Sequence, residues 1–256
     1  MNSRFKICDA FGIPVYADMS SALLVLWLVF LMGDITAGVT CAILLAFSIV
    51  VHELAHSLTA RAFGCRIAEI RLSLIGGCAS GELPHSAWKE FLVAAAGPAS
   101  SLAMGFGALA AIICAGRIDN VWLSNALLYF VRMNLMLGLF NLLPGFPMDG
   151  GRIFRSAMRL FMSREKATKC AMIVGRVAAV ALVVLPEFGI HVIFKIIPLG
   201  GDLFFRLLIA FMIWREGYRE YLLAKLEAEK WNGWRARVSP PPYGGSDEDC
   251  DVCKDR

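Results

Sequence analysis

The chain has 256 residues, of which 58% are hydrophobic and only 18% are charged, and its mean hydropathy is +0.63. A soluble core does not need this much apolar surface, so the composition predicts a chain that is mostly embedded in a bilayer, with no room for a large second domain. The net charge of +4 arises from basic residues at the ends of hydrophobic segments, which argues against nucleic-acid binding.

The hydrophobic segments predict the membrane topology. In chain order they cover residues 15–32, 39–63, 88–114, 121–143, 170–185 and 192–213. Because a spanning helix needs about 20 apolar residues, they predict an all-α polytopic membrane protein with about six transmembrane helices. No small-residue cleavage pattern follows the first segment, which is interpreted as a retained helix. The sixth is interrupted by Lys195, Pro198 and Asp202, and an interfacial piece followed by a shorter span is an alternative.

The connecting loops predict the orientation. The connections 33–38 and 116–120 hold one basic residue between them, Arg117, whereas the connections on the opposite side are rich in arginine and lysine. By the positive-inside rule, both termini are expected in the cytoplasm.

The second segment contains His52, Glu53 and His56 within residues 41–60, a stretch that is otherwise apolar or small apart from three hydroxyl residues. Histidines at i and i+4 share one helix face, so both can bind one Zn²⁺ while the glutamate acts on a water at that metal. Ionisable groups are unfavourable inside a bilayer, and a metal ion would compensate for them. The alternatives are an accidental match to this motif or polar groups that join two membrane helices.

Apolar and polar residues alternate over residues 66–74, between the second and third segments, and the alternation ends at Gly76-Gly77. This pattern predicts a small β-strand, with a hairpin to residues 78–83 as an extension. The free edge of such a strand can bind an extended substrate backbone. A short connector is an equally good interpretation of this segment alone.

A third zinc ligand is expected after the fourth segment, where residues 141–152 read NLLPGFPMDGGR. The prolines end the helix and the glycines allow the chain to fold back, so Asp149 can turn towards the metal. The alternative is that Asp149 caps the following helix, together with Arg152.

Four segments together resemble the site-2 intramembrane metalloproteases of peptidase family M50: residues 52–56, 76–77, 90–98 and 141–151. The resemblance implies a zinc endopeptidase that cuts a membrane-spanning substrate within or near the bilayer, with one Zn²⁺ held by His52, His56 and Asp149. The orientation expected from the loop charges places the cut near the cytoplasmic face. The resemblance also implies that Glu53 is the general base and that Asn141 helps to hold the substrate or the developing oxyanion. The form is expected to be compact, without the PDZ or CBS domains of other members.

The expected domain covers residues 1–238, with a catalytic core at about 39–152, and a disordered cytoplasmic tail at 239–256 that includes Cys250 and Cys253. The expected setting is a bacterial cytoplasmic membrane. Expected partners are the lipid bilayer, a single-span membrane-protein substrate and a regulatory membrane protein, but no nucleic acid. Two other functions stay open at this point: a metal-ion transporter and a catalytically idle zinc-binding scaffold.

Overall fold

A computed structural model describes residues 4–73, 76–81, 84, 86–116, 118–184 and 202–237. The predicted tail at 239–256, with Cys250 and Cys253, lies outside the described residues. The helices are α1 Ser20–Met32, α2 Ile35–Ala62, α3 Ala87–Ala115, α4 Val121–Asn141, α5 Asp149–Met158, α6 Arg164–Val184 and α7 Asp202–Arg237. The strands are β1 Arg4–Ala10, β2 Ile13–Asp18, β3 Ile67–Ser73 and β4 Gly76–Gly81.

The described structure is mostly helical, as predicted, but its β element is a four-stranded sheet in the order β1-β2-β3-β4, which is larger than the strand or hairpin expected between the second and third segments. β1 and β2 form a hairpin whose turn residues Phe11 and Gly12 have positive φ angles of 52° and 75°. β2 then pairs in parallel with β3, and β3 pairs antiparallel with β4. A parallel pair needs a crossover connection, which α1 and α2 provide. The strand β2 is therefore stabilised by a partner about 50 residues away in sequence.

The sheet packs on α2 through its buried face. The members of this core are all apolar: Ile13, Val15, Ala17, Ile49, Ile70 and Leu72. They alternate along both strands, as expected for a sheet with one buried face. The sheet is consequently fixed against the half of α2 that carries the two histidines.

Four of the described helices, α2, α3, α4 and α6, are long and apolar enough to cross a membrane. The predicted first span is shorter than expected, because residues 15–18 belong to β2 and α1 has only 13 residues. In the predicted sixth span, residues 192–201 lie outside the described residues, and α7 begins at Asp202 and continues to Arg237 as one helix. The described part of the chain thus supports a multi-pass membrane protein with four candidate spans.

A buried ion-pair cluster joins α3, α5 and α7. Glu90 of α3 accepts hydrogen bonds from Arg155 at 3.2 and 2.5 Å and forms an ion pair with Arg159. Arg155 also donates to Glu220 of α7 at 2.8 Å. Because buried charges are stable only when they are paired, this cluster fixes the orientation of α5 against the helices on either side of it.

Candidate metal centre

α2 carries the two histidines on its buried face. His52 and His56 are 3% and 6% exposed, and their Nε2 atoms lie 3.2 Å apart. The spacing of four residues places one imidazole a turn above the other. Both rings therefore direct one nitrogen towards a common point.

Asp149 completes a triangle of ligand atoms. It lies in the first turn of α5, and its Oδ2 is 3.1 Å from Nε2 of His52 and 3.0 Å from Nε2 of His56. The residue at the helix N-cap is Met148, whereas the second carboxylate oxygen of Asp149 lies 3.6 Å from the Arg152 guanidinium. The side chain of Asp149 thus points to the histidines and does not cap the helix.

The three distances fit one face of a zinc site. Ligand atoms at about 2.0–2.1 Å from a tetrahedral Zn²⁺ lie roughly 3.3 Å from one another, close to the separations of 3.0, 3.1 and 3.2 Å between the three atoms. Among the described residues, this is the single group of histidine, cysteine or acidic side chains close enough to bind a metal. His52, His56 and Asp149 would therefore hold a Zn²⁺ ion, and three protein ligands are the number typical of a catalytic zinc site.

The other ring nitrogens are held by α3. Nδ1 of His56 donates to the Val93 carbonyl at 2.6 Å, and Nδ1 of His52 lies 2.9 Å from Oγ of Ser101. A carbonyl only accepts, so a neutral His56 carries its proton on Nδ1 and has a free lone pair on Nε2. That lone pair faces a carboxylate oxygen and a second imidazole. Lone pairs that converge in this way are the ligands that a bound cation requires.

Gly97 of α3 allows the close approach of α3 to the histidines. A Cβ atom at this position would lie 2.1 Å from Nε2 of His56 and 2.7 Å from Nε2 of His52. Any larger residue would therefore occupy space at the ligand atoms. Gly97 belongs to residues 90–98, one of the segments that resemble the site-2 proteases. The sequence of this segment does not indicate that Gly97 contacts the histidines.

Glu53 lies beside the ligands, in a cavity of about 310 Å³. The lining comes from α2, α3, α5, the strands and the end of α4: His52, Glu53, His56, Ser57, Ala60, Ile67, Gly77, Ala79, Gly81, Val93, Asn141, Pro147, Asp149 and Arg152. The strand β4 approaches the glutamate so closely that a Cβ atom on Gly77 would lie 2.5 Å from Cγ of Glu53. A substrate in this cavity would contact both the glutamate and the ligand atoms.

Asn141 also lines this cavity, as the last residue of α4. Its Nδ2 donates to the Leu137 carbonyl at 2.9 Å, within its own helix. The side chain is thus near the ligands but makes no hydrogen bond to them among the described residues. Its role stays a prediction.

Within the sheet, the cavity is bordered mainly by β4, with Gly77, Ala79 and Gly81, whereas β3 contributes only Ile67. Both edges of β3 are occupied around Ile70, which pairs with Val15 on one side and with Ala79 on the other. The expectation that residues 66–74 receive a substrate strand is therefore wrong for this part of the sheet. Among the described residues, β4 has a partner on one side only, and its Gly77, Ala79 and Gly81 face the cavity.

A second cavity of about 350 Å³ adjoins the first, and the two share Ala79, Gly81, Pro147 and Arg152. Its other lining residues come mainly from α6 and α7 and include three glutamates, Glu216, Glu220 and Glu227. The metal centre is therefore connected to a polar space beside the C-terminal helix.

A buried His-His-Asp triangle with an adjoining glutamate, held among apolar helices, defines a polytopic membrane protein with a metal centre of the HExxH type. The model of a known family, described as peptidase family M50, matches residues 40–117 and 112–185. The chain belongs to this family.

Individual relatives support the assignment to this family. A Synechocystis protein named as a candidate zinc metalloprotease is 33% identical over 229 residues, which are 83% of this chain and 58% of that protein. A zinc metalloprotease of Methanocaldococcus jannaschii is 32% identical over 203 residues, 78% of this chain and 58% of its own. The chain thus spans 58% of the length of each of these relatives. The predicted cofactor, zinc, is the metal in both names.

A solved structure supports the fold. The site-2 protease from Methanocaldococcus jannaschii superposes with a TM-score of 0.59 at 28% identity, and the match covers 85% of this chain and 95% of that one. The predicted resemblance to the site-2 proteases is thereby confirmed.

Proposed function

We propose that this protein is a zinc endopeptidase that cuts a membrane-spanning segment of its substrate near the cytoplasmic face. The observation that carries the proposal is the convergence of His52, His56 and Asp149 beside Glu53, in a cavity bordered by membrane helices. The family and the relatives named zinc metalloproteases support peptide-bond hydrolysis.

Each residue has a role in this mechanism. His52, His56 and Asp149 would hold the zinc, which when bound supplies Lewis-acid activation of water and of a carbonyl. Glu53 takes the proton of the attacking water and passes it to the leaving amine. The amide of Asn141, at the cavity wall, donates to the substrate carbonyl as negative charge develops on it. Glu53 and Asn141 are therefore the catalytic residues of the proposal.

The edge of β4 is the proposed site for the substrate backbone. A helical substrate shields its peptide bonds, so it must unwind, and each unsatisfied backbone group is costly in lipid. Addition of the unwound segment to β4 would satisfy such groups. Gly77 and Ala79 have almost no side-chain volume, so the substrate main chain can lie close to Glu53.

The proposed orientation has both termini in the cytoplasm, because most connections on one side of the bundle are basic. His52 and His56 lie in the C-terminal half of α2, towards that side. The substrate is a single-span membrane protein, and the scissile bond lies near the cytoplasmic end of its span. A regulatory membrane partner would act on access to this site.

The test uses purified protein reconstituted with a single-span substrate in proteoliposomes. We expect Glu53→Gln to keep one zinc per chain and to lose cleavage, because glutamine preserves the shape of the base but accepts no proton. His56→Ala should lose both zinc and cleavage. Mass spectrometry of the products locates the scissile bond.

Cleavage by Glu53→Gln at the wild-type rate would refute the role of Glu53, and products cut at the external end of the span would refute the orientation. Zinc uptake into the vesicles without cleavage would instead favour the metal-ion transporter.

A further inference from the structure

Ser57 is a buried hydroxyl beside the metal centre that the proposed mechanism does not use. It follows His56 directly, is 1% exposed and lines the same cavity as Glu53. Glu53, Ser57 and Ala60 stand at i, i+4 and i+7 on α2, so they form one stripe along the cavity wall. The hydroxyl therefore lies one helical turn from the base.

Three other hydroxyls of α2 have a partner within the helix. Thr40, Ser48 and Thr59 each donate to the carbonyl four residues earlier in the helix, at 2.7, 2.8 and 2.8 Å. This bond is the usual partner of a serine or threonine inside a helix. Oγ of Ser57 makes no such bond and has no hydrogen-bond partner among the described residues. A buried polar group without a partner is unfavourable and rare in proteins.

The strand β4 adds little side-chain volume to the cavity that Ser57 lines. Gly77, Ala79 and Gly81 of β4 border the same cavity as Glu53 and Ser57, and none of them has a side chain larger than a methyl group. From Glu53 to Ser57 the helix rises about 6 Å, and an extended peptide covers this distance with roughly two residues. A main chain lying along β4 at the base would therefore pass the hydroxyl two residues further on.

From these observations, we propose that the Ser57 hydroxyl donates a hydrogen bond to a main-chain carbonyl of the substrate, about two residues from the scissile bond. The inference rests on the proposed peptidase function. Ser57 is then a substrate-binding residue that contacts the main chain and does not discriminate between substrate side chains. The bound substrate supplies the acceptor that the hydroxyl lacks in the free protein.

The experiment compares Ser57→Ala with Thr59→Ala, in full-length protein in proteoliposomes. Ser57→Ala removes a buried hydroxyl that has no partner, so thermal stability should stay at the wild-type level or rise, and zinc content should stay at the wild-type level. Its kcat/KM should fall roughly three- to tenfold, mainly through KM, which corresponds to the loss of one neutral hydrogen bond. Thr59→Ala removes a hydroxyl bonded within α2, and its kcat/KM should match that of the wild type. Ser57→Thr keeps the hydroxyl and should recover most of the loss.

Three further measurements decide the assignment. Substrates that differ in side chain at the contacted position should lose the same factor with Ser57→Ala, since the contact is to the main chain. A factor that depends on this side chain would overturn the proposal, as would an unchanged kcat/KM. A shifted pH profile of kcat at unchanged KM would also overturn it, because the hydroxyl would then act on Glu53. Wild-type cleavage and its loss in Glu53→Gln are measured in parallel, so a failure of the peptidase function is recognised separately.

Discussion

Substitution of Gly97 by alanine tests the geometry of the metal centre most directly. The added Cβ would lie 2.1 Å from Nε2 of His56, whereas ordinary contacts begin at 3.4 Å, so this nitrogen would have to move by about 1.3 Å. Zinc-ligand distances tolerate about 0.2 Å. Gly97→Ala should therefore lower zinc affinity at least 100-fold, the upper end of the range for changes around a metal ligand, and cleavage should fall to background.

The control is Gly107→Ala in the same helix, where nothing lies within 4 Å of the added Cβ. Alanine favours a helix by about 1 kcal/mol over glycine, so both variants should keep α3 folded. Zinc per chain is measured by mass spectrometry of the purified proteins after dialysis against a zinc buffer, and cleavage is measured in proteoliposomes. A Gly97→Ala protein with full zinc and the activity of Gly107→Ala would refute the close approach of α3 to the histidines.

The remaining predictions test Asp149 as a zinc ligand, the position of the base Glu53, and the contribution of the Glu90 ion-pair cluster to stability. Asp149→Ala should weaken zinc binding at least tenfold, and full zinc occupancy under the same dialysis would argue against its role as a ligand. Gly77→Ala should displace Glu53, since the new Cβ would lie 2.5 Å from its Cγ; turnover should fall about tenfold or more while zinc content stays normal. Glu90→Ala should destabilise the protein by about 3–5 kcal/mol, because it removes the buried carboxylate that pairs with both Arg155 and Arg159. Glu229→Gln, which breaks an exposed ion pair, should cost less than about 1 kcal/mol. Thermal unfolding in detergent compares the last two variants, and equal midpoints would argue against a structural role for the buried cluster.

The parts of the site that are close in sequence could be predicted from it. A spacing of four residues on a helix is enough to bring His52 and His56 together, and the proline- and glycine-rich segment before Asp149 indicates a chain reversal. The contacts from α3 could not be predicted in the same way. Gly97 and Ser101 are small residues in a helix full of small residues, and their importance depends on which face of α3 meets α2. That orientation is a property of tertiary packing.

The sheet could likewise be predicted only in part from the sequence. Alternation over β3 indicates a strand, because one face is buried and the other is not. β2 is continuous in hydrophobicity with α1, so residues 15–18 were predicted to be helical. The difference arises because β2 pairs with β3, and this partner is distant in sequence. The same pairing explains why β3 does not offer a free edge to a substrate strand. β2 occupies that edge, and the sequence around β3 does not indicate this partner.

The shortness of α1 has a consequence for the surrounding lipid. β2 and β3 lie side by side and point in the same direction, so the chain that leaves the end of β2 through α1 must return through α2 to the level at which β2 begins. The 13 residues of α1 rise only about 20 Å, whereas the hydrocarbon layer is about 30 Å thick. Where a hydrophobic helix is shorter than this layer, the bilayer accommodates it by local thinning. Such thinning shortens the path from the aqueous phase to the depth of the two histidines, on the flank of the molecule where α1 stands.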